Sequence, residues 1–342
     1  MIGYASEETV RGISYLFNII RFMNSQSSSS QTVGTSTTET QYLSEQGYVT
    51  QDENNNNQIV HQQDVSESAV STLIQQFGIA PNPEMTIRIH DFSQRPNFDP
   101  SWTLLDLIRH RCPMGWDELF GISERHGHFI VPTQKILEAR SNGLRVMPDQ
   151  ENIFATFDRI TPYNVRIIIL AQDPYSGISP DGRSQSTGVA LESRYPAEKC
   201  QPSLLNVIKK IHNEFKANEP FEMPQSGSLK KWNDQGILML NFSLTTICGE
   251  SNYHKGIWKP FVIEVIEYCA QVRAQSGKQL ILYTMGKEAS DIFTSLRARV
   301  HHVKSPHSSG NSMYLFNREG NYFTEINKIL YEMNDRIIDW FL

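Results

Sequence analysis

The 342-residue sequence predicts an α/β domain: a three-layer α/β/α sandwich around a central, mainly parallel four-stranded sheet, preceded by a disordered N-terminal tail. Beyond residue 95, apolar runs of strand length alternate with helix-period patterns, which implies parallel strands joined by right-handed crossovers. Each apolar run gives way to a chemically capable side chain or a tight turn, as expected at the ligand-binding edge of an open α/β sheet. Residues 24–65, by contrast, are dominated by Ser, Thr, Gln and Asn, and bury too little apolar surface to offset the entropy of ordering.

Residues 1–94 read as a mostly disordered, low-complexity extension with two short helical segments. One covers residues 13–22, too short to span a bilayer. In the other, Val70, Leu73, Ile74 and Phe77 fall at i, i+3, i+4 and i+7, and Gly78 follows as a stop. This is either a helix that docks on its own domain or one that engages a partner protein. Glu7 and Glu8 argue against a secretory signal or transit peptide, so an intracellular protein with no membrane association is expected.

Charge divides the chain in the same way. The first 89 residues hold nine acidic and three basic side chains, which accounts for the whole net charge of −6, and the remainder holds 28 of each. A neutral body excludes a broadly basic nucleic-acid surface, so any polyanion contact must come from local patches. Cys112, Cys200, Cys248 and Cys269 are too scattered for a CxxC metal or redox motif and read as buried small apolar residues of a reduced compartment.

The expected strands are 165–172, 237–241, 279–285 and 300–304. In the first, Val165, Ile167, Ile168, Ile169, Leu170 and Ala171 suit a strand buried on both faces. It stops at Gln172-Asp173-Pro174-Tyr175, because proline cannot donate to a ladder. Helical patterns follow at 203–215, 259–273, 287–296 and 321–333. The four strand ends carry Asp173, Asn241, Gly286 and His307, placing a carboxylate, an amide, a turn and an imidazole along one rim.

Six motifs in order resemble the family 1 uracil-DNA glycosylases over residues 95–342. Ala171–Ser176 (AQDPYS) is similar to the family's GQDPYH motif, and Gln201–Asn206 (QPSLLN) to its Pro-Ser loop. Trp232–Asn241 (WNDQGILMLN) resembles the uracil-reading strand, and Asn252-Tyr253-His254-Lys255 the N-x-H-K that follows. The His loop matches at His307, Ser309 and Ser312. Tyr314, Phe323, Thr324, Asn327, Leu330 and Ile338-Asp339-Trp340 fit the family's end.

The resemblance implies an enzyme that flips uracil out of single- or double-stranded DNA and hydrolyses the N-glycosidic bond. It implies no metal or organic cofactor and a monomer, possessing a divergent and viral-like sequence, at work in a nucleus or at a site of viral DNA replication. A replication or repair protein could be engaged through the N-terminal extension. By resemblance, Asp173 stabilises the sugar cation and orients water, while His307, as a neutral donor, holds O2 of the departing uracil. Asn241 reads the N3–H and O4 edge. Tyr175 excludes the thymine methyl group, and the Gln172 backbone contacts the base. DNA phosphates fall to Pro202, Ser203, Gly286, Lys287 and Ser309, with cationic runs at Lys209-Lys210, Lys230-Lys231 and Arg297–Lys304 as a possible stripe.

Three departures bear on activity. The family's uracil-stacking aromatic is replaced by Leu191 in Gly188-Val189-Ala190-Leu191, and the apolar wedge of the His loop by Asn311. The first motif is also edged by Ala171 and Ser176, and residues 177–187 are about five longer than the family's usual spacing. These leave open an alternative function, a catalytically weak glycosylase-like DNA-binding or replication-accessory module.

Overall fold

A computed structural model describes residues 96–195 and 199–342. The expected helical segments at 13–22 and 66–78, and the end of the tail at 94, lie outside these residues.

Three helices precede the sheet, in a region where the sequence reading places no element: α1 (Leu104–Arg111), α2 (Asp117–Arg125) and α3 (Ile130–Ser141). Helix α1 starts on a capping box, with the Thr103 hydroxyl bonded to the Asp106 N–H and the Asp106 carboxylate to the Thr103 N–H. A two-residue ribbon, β1 (Val146–Met147) against β4 (Thr246–Ile247), was also not foreseen; segments this short give no periodicity to read.

The main sheet has the order β3-β2-β5-β6, from β2 (Ile167–Ala171), β3 (Ile237–Asn241), β5 (Leu280–Met285) and β6 (Val300–Ser305), and every pairing in it is parallel. Helices α4 (Pro202–Phe215), α5 (Lys230–Asn233), α6 (Lys259–Ala274), α7 (Lys287–Asp291), α8 (Met313–Arg318) and α9 (Tyr322–Glu332) complete the described domain.

Alternation along the strands separates two cores. Ile168, Leu170, Leu238, Leu240, Leu280 and Leu282 face a cluster that includes Trp116, Phe120, Phe157, Phe261 and Val265. Ile167, Ile169, Ile237, Met239, Ile281 and Tyr283 face Leu204, Val207, Trp232, Phe323 and Trp340. Two helical layers therefore sandwich the sheet, as the sequence predicts. Burying each such large apolar side chain contributes about 1.5–3 kcal/mol, so the strand positions are fixed from both faces.

The boundaries differ in instructive places. The first strand begins at Ile167, because Val165 closes a 3-10 turn over Pro162–Asn164. The expected helix 287–296 is α-helical only to Asp291 and continues as a 3-10 turn over Ile292–Ser295. There the β-branched Ile292 and Thr294 weaken the helix, and the Thr294 hydroxyl donates to the Asp291 carbonyl at 2.9 Å. The reading of the cysteines as buried is corrected as well. Only Cys269 is buried, Cys112 and Cys200 are partly exposed, and Cys248 is exposed in the turn after β4.

The family-like tail motif serves packing. Asn327 on α9 holds both the N–H and the carbonyl of Ile338, at 2.8 and 3.0 Å, and the Trp232 indole donates to the Trp340 carbonyl at 3.0 Å.

Candidate active site

Parallel pairing delivers the carboxyl ends of all four strands to one edge, so Asp173, Asn241, Gly286 and His307 share the predicted rim. Ala171 pairs with Asn241 at the last rung between β2 and β3, which sets the acid and the amide side by side. Above that rung, the Ser243 N–H donates to the Gln172 carbonyl at 2.9 Å and keeps the two chains together.

The acid is fixed by a residue to which the sequence reading gave no role. Asn252 donates its backbone N–H to Asp173 Oδ2 at 2.7 Å, and its side-chain Oδ1 accepts from Gln172 Nε2 at 2.7 Å. Its φ of +63° lies in the left-handed region, which asparagine tolerates better than most residues. The signal was in the sequence: Asn252 opens the quoted N-x-H-K, two residues before His254, which is buried and bonded to Thr245 at 2.9 Å. Burial pushes the Asp173 carboxyl above its usual 3.8, against the Asn252 hydrogen bond and the nearby His307.

His307 has a readable tautomer. The Ser309 backbone N–H, 3.1 Å from Nδ1, can only donate, so Nδ1 carries the lone pair. In the neutral ring the proton then sits on Nε2. Burial lowers the imidazole below its usual 6.5, with Asp173 opposing, so the ring is neutral at pH 7. Gly286, at φ +93°, runs past this ring; a Cβ there would lie 3.4 Å from His307 Cβ and in a conformation L side chains avoid.

Asn241 is 5% exposed, and its Oδ1 is buried with no hydrogen-bond partner. An acceptor left so is destabilising by about 1–3 kcal/mol, which marks a place where a donor is meant to arrive. Tyr175 closes the next side: its hydroxyl donates to the Leu191 carbonyl at 2.9 Å and lies 3.0 Å from Ser203 Oγ. Leu191 is buried at a φ of +64°, packed in the core cluster that holds Ile169 and Met239. Gly188 makes that loop possible, since a Cβ there would lie 1.8 Å from the Asn152 carbonyl oxygen.

The groups predicted to meet DNA are less uniform. Pro202 begins α4, and the Ser203 hydroxyl is engaged with Tyr175. Lys287 and Asn311 are exposed, Ser309 is partly so, and Asn311 sits in a 3-10 turn over Gly310–Ser312. Of the expected cationic runs, Lys209, Arg297, Arg299 and Lys304 are exposed, and the other lysines are engaged by the fold. Lys210 is buried on the carbonyls of Asn317 and Glu319, and Lys230 and Lys231 pair with Asp234 and Asp339. Asn206, within the quoted QPSLLN, was also missed: it donates to the Ser308 carbonyl at 2.7 Å and so ties α4 to the His loop. Clefts of about 450 and 600 Å³ lie elsewhere, and no rim residue lines either. The site is recognised by its chemistry rather than by its size.

Known proteins resemble this chain over about two thirds of its length. The uracil-DNA glycosylase of Coxiella burnetii (strain Dugway 5J108-111) is 30% identical over 233 residues, covering 66% of this chain and 96% of that protein. That of Vibrio campbellii is 31% identical over 230 residues, with 66% and 96% covered. The chain belongs to the uracil-DNA glycosylases. It is a hydrolase of N-glycosyl bonds that excises uracil from DNA in base-excision repair. The fold agrees too: the crystal structure of mimivirus uracil-DNA glycosylase matches with a TM-score of 0.57 at 24% identity, over 66% of this chain and 86% of that one. No family model matches the sequence. The alternative of a catalytically weak accessory module gains no support from these relatives.

Proposed function

We propose that the rim divides the glycosylase reaction between a sugar side and a base side. The observation that carries this is the buried, unpartnered Oδ1 of Asn241 on the same sheet edge as an imidazole whose Nε2 bears the proton. A flipped uracil supplies the missing donor from N3–H, and His307 Nε2–H donates to O2. As the C1′–N1 bond breaks, its electron pair passes to the uracil ring, and His307 and Asn241 stabilise the resulting anion. Asp173, held by Asn252, faces the cationic sugar and orients the water whose oxygen joins C1′, and its carboxylate accepts the proton that the water loses. A neutral His307 suits this role, because a hydrogen bond to the anion needs only one N–H. Tyr175 bars the thymine 5-methyl group, and cytosine fails at Asn241 because its N3 accepts where uracil donates. Pro202, Ser203, Gly286, Lys287 and Ser309 border the DNA path.

The test is release of free uracil from a uracil-containing oligonucleotide, compared with Asp173→Asn and His307→Leu. Full activity in either variant would refute the assignment. From the apolar spacing of Val70, Leu73, Ile74 and Phe77 we also propose a partner-binding role for the N-terminal extension, and from the family resemblance a place of work in the nucleus or at a viral replication site. Deleting residues 1–80 should then abolish partner pull-down without loss of uracil release.

A further inference from the structure

Away from the rim, one cluster of ligand-competent side chains plays no part in the chemistry above. The turn after α2 carries His126 and His128, and it is held by N–H bonds from His126 to the Ile122 carbonyl at 2.9 Å and from His128 to the Ser123 carbonyl at 3.0 Å. Glu264, on α6, faces this turn. Its Oε2 is 3.0 Å from His126 Nδ1 and 3.9 Å from His128 Nδ1, and the three ligand atoms lie within 4.8 Å of one another.

An ordinary ion pair between His126 and Glu264 explains only two of these groups. His128 Nδ1 is buried and has no hydrogen-bond partner. Two imidazole nitrogens and one carboxylate oxygen are the donors that zinc-like ions prefer, at about 2.0–2.2 Å each. Tetrahedral placement at those lengths puts donor atoms about 3.3 Å apart, and the two His–Glu separations of 3.0 and 3.9 Å bracket that value. Calcium and magnesium, which take oxygen donors, do not fit.

We propose that His126, His128 and Glu264 bind one divalent transition-metal ion of the zinc class, which ties the end of α2 to α6, with water completing the coordination. Such an ion would stabilise the fold, since it binds the native arrangement and not the unfolded chain.

The full chain, stripped with a chelator, is titrated with Zn²⁺ by calorimetry and melted with and without the ion. One saturable site per chain and a raised melting temperature are expected. Co²⁺ in its place should give the intense visible bands of a four-coordinate site. His128→Gln, which keeps size and polarity, and Glu264→Gln should weaken binding by more than about tenfold while uracil release in the absence of zinc is unchanged. The proposal is overturned if the chain shows no saturable zinc binding. It is equally overturned if the His126→Ala/His128→Ala double variant, shown folded by its uracil release, binds zinc with unchanged stoichiometry and affinity.

Discussion

The ends of β2 and β3 and the loop after β6 belong to one rim but are built to different standards. At the first, Asp173 and Gln172 are both tied to Asn252, Asn241 lies on the last parallel rung, and Tyr175 is fixed at its hydroxyl by two partners. At the second, His307 is anchored through Ser309, but within four residues the chain is a solvent-exposed 3-10 turn at Asn311. Groups that must meet developing charge need positions set in advance. Groups that enter DNA must move with it. Changes in the first half should therefore alter bond cleavage on any substrate, and changes in the exposed turn of the second should alter only the opening of duplex DNA.

The contrast breaks first if the preorganised half is not catalytic. Asp173→Asn should lower single-turnover uracil release by about 100- to 1000-fold, the magnitude typical of a preorganised electrostatic group, with the melting temperature preserved. The same carboxylate predicts the acid limb of the rate profile. Its titration lies above the usual 3.8, and ionised Asp173 is the working form, so activity falls as pH drops through that raised value. Since His307 titrates below its usual 6.5, it does not switch off the neutral donor near pH 7. A rate that stays flat down to pH 3.8 would sink the assignment.

Asn241→Leu comes next. It removes the hydrogen bonds to the base, about 1.5–3 kcal/mol in all, a loss of roughly 10- to 100-fold in kcat/KM. An unchanged value would mean that the buried Oδ1 awaits no donor.

How far the sequence reaches follows the same division. The strands were legible because unbroken runs such as Ile167–Ala171 are buried on both faces, and the rim because parallel strands must end together. Asn252 was hidden because its contribution is a backbone N–H in a left-handed turn, across 79 residues from Asp173. The N-x-H-K motif marks the segment, but no residue type in it declares a backbone bond to Asp173. The lysines misled for a related reason: Lys210 looks like a surface cation beside Lys209, yet its ammonium caps the carbonyls of Asn317 and Glu319. Residue type declares what a group can do, and tertiary packing decides whether it is free to do it.

Leu191 sharpens the comparison from within the fixed half. By the resemblance of Gly188–Leu191 it takes the place of a stacking aromatic, and its backbone carbonyl anchors Tyr175. Replacement of the side chain alone leaves that anchor in place. Leu191→Phe should raise uracil release by about 10- to 100-fold, through base–aromatic stacking of about 1–3 kcal/mol. If excision is unchanged while the protein remains folded, the missing ring is not what limits this enzyme.

The smallest effect belongs to the exposed half. A flipped base leaves a gap in the duplex, and an apolar side chain fills it better than an amide. Asn311 is exposed within the His loop, and neither its turn nor the Asn206 bond to Ser308 depends on its side chain. Asn311→Leu should therefore raise the rate on duplex uracil DNA by a few-fold, on the order of 1 kcal/mol, and leave the single-stranded rate unchanged, because no stacked gap forms there. The unmodified enzyme should accordingly prefer single-stranded substrate. Equal rates on both strand forms, or an equal gain on both in the variant, would show that the His loop opens the duplex by some means other than a wedge at this position.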